Sequence, residues 1–174
     1  KWGRGSSFGQ WSIAIFFCLI THSLADFFTV YGTQLLWPLT DHPFAHAILF
    51  IIDPAYTVPL IIALIGILMI RNRGVAQTLN LSMLTLSTMY LIWSVGAKSM
   101  IDQQVQFALN TRGIHPDVYE SAPAPLNTLL WRAVAIEEDT YYEIWASVFD
   151  AVDDIQVRQF DRSLTLLKPI ENHP

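Results

Sequence analysis

The sequence predicts a mainly α protein: a polytopic membrane helical bundle of about three transmembrane helices, with a small outer domain built on an aromatic β-hairpin. Three observations lead there. Hydrophobic residues make up 52% of the chain and charged ones 14%, so it is more apolar and less charged than ordinary soluble domains. Three segments approach the roughly 20 apolar residues that cross a bilayer as helix. Charge is divided unevenly: residues 1–100 hold five Lys/Arg against three Asp/Glu, and residues 101–174 hold five against twelve. The chain therefore changes character near residue 100. We expect a transmembrane helical domain over 1–113, a Pro-rich linker over 114–125 and a small extracytoplasmic β-containing tail over 126–174. The competing reading is a soluble all-helical protein with long buried helices, which detergent dependence would separate from the first.

The first span runs from about Trp11 to Phe28 around "IAIFFCLI". A second, Tyr56 to Ile70, is short for a full span and carries Pro59 in its first turn, where a missing amide donor costs least. The third, Leu79 to Ala97, reads "LNLSMLTLSTMYLIWSVGA", and its small hydroxyl residues suit close packing between membrane helices. Arg71 and Arg73 in "RNRGVAQ" place the loop between the second and third spans in the cytoplasm by the positive-inside bias. Lys1 and Arg4 agree, so His22, Asp26, the loop from Asp41 to Asp53 and everything after Lys98 should lie on the outer face. That puts the acidic tail of a multi-pass protein in the periplasm or outside the cell.

The third helix should continue through "KSMIDQQVQFALNTRG" to a left-handed cap at Gly113. "IHPDVYESAPAP" reads as an extended linker, because Pro116, Pro123 and Pro125 forbid a regular helix. "LLWRAVAI" and "YYEIWASVF" flank the polar "EEDT" as a hairpin. About 50 residues after the linker are too few for a self-sufficient core, so the hairpin should lean on the membrane domain or on a further part of the chain. "KWGRGSSFGQ", opening on Lys1, lacks the order of a signal peptide, and the expectation is a piece of a longer protein.

Several function classes lose support. Cys18 is the single cysteine, which excludes an internal disulfide and a cysteine zinc cluster. There is no G-x-S-x-G elbow, P-loop, dinucleotide glycine fingerprint or H-E-x-x-H helix. A net charge of -5, concentrated in the tail, disfavours nucleic acid and anionic lipid surfaces as partners. Membrane lipid is the expected surrounding.

Positions four apart on a helix share a face, so Cys18, His22 and Asp26 form one stripe, which Thr29 and Thr33 prolong if the helix persists. A neutral imidazole and a carboxylate on successive turns can clasp one divalent cation. They can equally well bond to each other, as polar groups in membrane helices commonly do. An ionisable group inside a membrane segment is nonetheless expensive enough to raise a functional hypothesis. His42 and His46 share the spacing, but Pro43 breaks a helix there and they read as loop histidines. Asp53, before Pro54, is either a helix cap or a site residue. Glu137, Glu138 and Asp139 read as a solvated hairpin tip. Arg132 faces an anionic substrate or pairs with an acid of the tail.

The stretch "THSLADFFTVYGTQLLWPLTDHPFAHAILFIIDPAYTVPLI" resembles the YdjM-type family of bacterial membrane-bound metal-dependent hydrolases. "APAPLNTLLWRAV" is similar to that family's Pro-x-Pro-Asn followed by a Trp-Arg segment, which extends the likeness over most of residues 11–150. The resemblance implies a multi-span inner-membrane hydrolase in which His22 and Asp26 match the metal-binding His-x3-Asp, and "IIDP" brings in Asp53. Tyr31, Gly32 and Thr33 match the family's Tyr-Gly-Thr and would shape the turn leaving the helix, with Gly32 as hinge. The family's amino-terminal half, with a second aspartate pair and a His-Arg-Gly…Thr-His-Ser segment, has no counterpart here. Half of the metal site would then come from an amino-terminal segment of the same protein beyond this chain.

Three functions follow as expectations. In the first, zinc or manganese bound by His22 and Asp26 activates water against a lipid or envelope phosphoester, with Asp53 as a further ligand, an orienting carboxylate or the catalytic base and Arg132 on the substrate. The second is a non-catalytic scaffold in which His22 and Asp26 hold helices together and Trp131, Tyr141, Tyr142 and Trp145 meet a partner. The third is a transporter component using the pair as a proton or ion relay, for which three spans are few.

Overall fold

A computed structural model describes residues 7–162, and these fall into two units that divide between Ala47 and Ile48. Lys1 and Arg4, expected to orient the first span, lie outside the described residues, as does the end of the acidic tail.

The first unit holds helix α1 (Phe8–Phe27). Ser7 caps it: its Oγ accepts from the Gln10 amide at 3.4 Å, and Gln10 Oε1 accepts from the Ser7 amide at 3.0 Å. Ser12, Thr21 and Ser23 each donate a hydroxyl to a carbonyl one turn earlier. These hydroxyls are satisfied without water, a requirement in hydrocarbon. No residue of α1 is buried, so its apolar side chains face outward on every side, as on a helix surrounded by lipid. The chain leaves α1 through a turn at Gly32, φ +73°, and returns so that Thr33 and Phe44 exchange two backbone hydrogen bonds.

In the second unit, α2 (Pro54–Met69) and α3 (Arg73–Thr111) form a hairpin. Asp53 caps α2 and Pro54 takes the first helical position, where no amide is needed. The helix thus starts two residues before the expected Tyr56. Pro59 falls in its second turn rather than its first and forgoes the bond to the Ala55 carbonyl. The buried residues of α2 are Pro59, Ala63 and Gly66, and those of the first half of α3 are Ala76, Ser87 and Ser94, all small, as close membrane-helix packing requires. Ser87 Oγ donates to the Tyr56 carbonyl at 2.9 Å, and a Cβ on Gly66 would lie 2.5 Å from Leu79 Cδ2, which fixes the antiparallel register.

With 39 residues, α3 is about 58 Å long, nearly twice the hydrocarbon thickness. Its second half carries a stripe of Ala97, Ile101, Val105 and Ala108, all buried against the sheet. It ends as expected at Gly113, φ +73°: the Ile114 amide bonds the Leu109 carbonyl and the Gly113 amide the Asn110 carbonyl, a Schellman cap.

The sheet contains β1 (Val118–Pro123), β2 (Leu130–Glu137), β3 (Thr140–Ser147) and β4 (Gln156–Asp161), antiparallel in that order. The expected hairpin is its centre, β2–β3, with Glu138 and Asp139 at the turn. Trp131, Ala133 and Ala135 of β2 and Tyr142, Ile144 and Ala146 of β3 face α3, the alanines letting the helix approach. Two expectations are corrected. The described residues are mixed α and β, three helices and a four-stranded sheet, rather than a helical bundle bearing a hairpin. The Pro-rich stretch contains strand β1, because Pro123 closes an edge strand, where a missing donor breaks no ladder. The short core of the tail is completed by α3, which answers the size argument.

Candidate functional site

His22 and Asp26 occupy the last two turns of α1, and the helix brings them together: Nε2 of His22 lies 3.6 Å from Oδ2 of Asp26. That exceeds hydrogen-bonding range. The side chains are 76% and 45% exposed, so both reach the surface of the described residues. Thr29 of the same stripe turns its hydroxyl onto the Asp26 carbonyl at 2.8 Å, capping the helix end. Tyr31, Gly32 and Thr33 form the turn that follows, and a Cβ on Gly32 would meet Pro43 Cβ at 3.1 Å. His46 stacks on Phe27 and His42 meets Phe44 edge-on. Among the described residues no group of three His, Cys, Asp or Glu converges as a metal site.

The second unit contains the other two predicted residues, apart from each other in their bonding. Asp53 is buried with both oxygens engaged: Oδ1 accepts from the Ala55 amide at 2.9 Å, and Oδ2 accepts from the Tyr90 hydroxyl at 2.8 Å. Thr128 Oγ1 in turn donates to the Tyr90 oxygen at 3.0 Å. The chain of three ties the start of α2 and the middle of α3 to the loop before β2. Arg132 lies on the sheet face away from α3, its Nε 2.7 Å from Glu143 Oε1 and its Nη2 2.9 Å from the Tyr141 hydroxyl. The bond to Glu143 holds its guanidinium above the ordinary range. Of the four aromatic residues expected at a partner surface, Trp131 and Tyr142 are core residues instead, facing α3. Alternation along each strand sends every second side chain inward.

A second polar cluster escaped notice in the sequence. Lys98 Nζ donates to Ser121 Oγ at 2.8 Å and to its carbonyl at 2.9 Å, and lies 3.9 Å from Asp102. Asp102 Oδ1 accepts from Ser121 Oγ at 2.5 Å and from the Tyr119 hydroxyl at 2.8 Å. Burial first, then the Asp102 charge, pushes the Tyr119 phenol well above its ordinary value. The Lys98/Asp102 spacing of four was a visible signal in "KSMID", whereas the partners on β1, Tyr119 and Ser121, lie 21 and 23 residues from Lys98 and were not.

An apolar helix with no buried residue and a helical hairpin packed through small residues are features that suit a membrane-embedded protein. Two of its helices, α1 and α3, are long and apolar enough to cross a membrane. A family model described as YdjM inner membrane protein matches residues 2–101, more than half of the 174 residues, and the chain belongs to that family. The match ends at residue 101, so the likeness extended over "APAPLNTLLWRAV" lies beyond it. No curated protein and no solved structure matches the chain.

Proposed function

We propose that this inner-membrane protein is a metal-dependent hydrolase of a lipid or envelope phosphoester, with His22 and Asp26 as two ligands of a zinc or manganese ion. The separation of the two donor atoms carries the reading. Ligands about 2.0–2.1 Å from a tetrahedral ion stand about 3.4 Å apart. The observed 3.6 Å is near that bite, and it is too long for the direct bond that the pair would otherwise make. When bound, such an ion supplies an activated water and polarises a phosphoryl oxygen. The chain's own part is to present an open imidazole and carboxylate at the end of an apolar helix, where a lipid substrate can arrive laterally. The remaining ligands come from water, substrate or a further segment of the protein. Asp53 in this reading positions α2, since burial and two hydrogen bonds leave it no free oxygen to turn to substrate. We further propose that Arg71 and Arg73 face the cytoplasm and the sheet faces the periplasm, on the bias of basic loops.

Elemental analysis of detergent-purified protein tests the metal. Near-stoichiometric zinc or manganese in the wild type, lost in both His22→Ala and Asp26→Ala with the helical signal retained, is expected. Metal that survives both substitutions would overturn the assignment.

The want of a third converging ligand among the described residues favours one alternative, a non-catalytic scaffold in which the pair meets a partner helix. It predicts that the same substitutions break an assembly and release no metal.

A further inference from the structure

We infer that the sheet face turned away from α3 carries a binding groove for a neutral saccharide, centred on Trp145. The groove, open to solvent, has a volume of about 500 Å³ and is lined by Leu130, Trp145, Asp150, Asp154, Gln156 and Arg158. That volume falls within the range of about 300–1,000 Å³ typical of small-molecule sites.

The two tryptophans of the sheet are treated differently. Trp131 is fully buried and its indole N–H donates to the Thr128 carbonyl at 2.8 Å. Trp145, on the adjacent strand, is 38% exposed, and its indole N–H has no partner among the described residues. Leaving part of so large a ring in water forgoes hydrophobic stabilisation, and a ligand laid on it would recover that. Register places Arg132 and Gln156 on either side of Trp145, one on each neighbouring strand.

The polar rim is also short of partners. Arg158 stands across from Glu143, but Glu143 is occupied by Arg132, and Arg158 makes no ion pair among the described residues. The side chains of Asp154 and Gln156 make no hydrogen bond there, and Asp150 uses one oxygen on the Ser147 amide at 2.8 Å. The groove thus combines donors from Arg158 and Gln156 and acceptors from Asp150, Asp154 and Gln156 with the apolar surface of Trp145 and Leu130.

A ligand that satisfies this surface presents a flat C–H face to the indole and a rim of groups that both donate and accept. Sugar hydroxyls do both, and the C–H face of a pyranose is attracted to the electron-rich face of an indole. Two carboxylates against one guanidinium disfavour an anion, and a purely apolar ligand would leave the rim unpaired.

The test uses the full chain in a detergent without a sugar headgroup, titrated with the tetrasaccharides of N-acetylglucosamine, α-linked glucose and β-linked glucose. The indole ¹⁵N–H signal of Trp145 is followed in the proteins that keep it, and the affinity of every protein, the Trp145 variants included, is measured by isothermal titration calorimetry, both to about 10 mM sugar, the range of weak sites. Saturable movement with at least one sugar is expected, weakened about tenfold or more by Trp145→Ala, severalfold by Arg158→Ala, and little by Trp145→Phe. Phe149→Ala, a change outside the groove lining, should leave the affinity unchanged. If Trp145→Ala unfolds the sheet, the Arg158→Ala and Trp145→Phe pair still decides. No movement with any of the three sugars, binding unaffected by Arg158→Ala, or displacement of the sugar by inorganic phosphate would each overturn the inference.

Discussion

The polar residues of α1 and those at the junction of α3 with the sheet differ in how completely they are partnered. His22 and Asp26 stand exposed, 3.6 Å apart, with no hydrogen bond between their side chains. Lys98, Asp102, Ser121 and Tyr119 form a closed cluster in which each charge meets a counter-charge and each hydroxyl has a partner. Asp53, Tyr90 and Thr128 form a second closed chain. Buried polar groups that are fully satisfied hold a fold together, whereas exposed donors left unengaged remain available to a ligand. The most conspicuous pair in the sequence is thus the one least occupied with structure.

This contrast breaks first at Asp102. Asp102→Ala leaves the Lys98 ammonium without its carboxylate and removes the acceptor of two hydroxyls, and should cost about 2–4 kcal/mol. Denaturant unfolding in micelles, followed by near-ultraviolet circular dichroism of the sheet aromatics, reads the loss. A change below about 0.5 kcal/mol would show the cluster to be incidental. Asp53 comes next. Asp53→Ala removes a helix cap and strands the Tyr90 hydroxyl, for about 1–3 kcal/mol, and Asp53→Asn should restore most of it by keeping a capping oxygen. An Asn variant as unstable as Ala would mean that the negative charge, and with it a role beyond capping, is what matters.

How much of this was legible in the sequence follows from the range of the interactions. α1, the continuation of α3 to its Gly113 cap, and the β2–β3 hairpin are set by local pattern and lie close to where pattern placed them, whereas α3 starts at Arg73, inside the expected loop "RNRGVAQ", rather than near Leu79, because Asn72 caps it there. The strands β1 and β4 are edge strands whose sequences, "VYESAP" and "QVRQFD", carry a proline or charges that blunt an edge and hide a strand from a reading by alternation. The His22 and Asp26 pair was legible because helical spacing alone joins it. Tyr90 and Thr128 were not, since they lie 37 and 75 residues from Asp53 and meet it only after α2 folds back on α3 and the sheet docks. Trp131 was misplaced for a related reason: which face of a strand is inward depends on where the helix lies.

Alkaline pH sharpens the contrast within the closed cluster. The Tyr119 phenol titrates near 10.0 in an unfolded chain and well above that in the native one, because burial and Asp102 both oppose the phenolate. The native state holds the proton more tightly, so this contribution is whole below pH 10 and is lost as pH rises beyond it. Tyr119→Phe should be about 1 kcal/mol less stable at neutral pH. The gap to wild type should narrow above pH 10, and unfolding curves at pH 8 to 11 compare the two. A gap that stays constant would place the phenol outside the cluster's electrostatics.

The smallest effect is expected at His22 and Asp26, and it is the most informative. With both side chains exposed on a helix that has no buried residue, His22→Ala and Asp26→Ala should each change stability by less than about 0.5 kcal/mol. A double-mutant cycle separates the two readings of the pair. Additive effects in metal-free protein mean that the side chains do not support each other, so that any coupling must appear only when a divalent ion is added. Coupling of about 1 kcal/mol without metal would instead make the pair a bond of the fold or of an assembly. The scaffold reading would then replace the hydrolase reading.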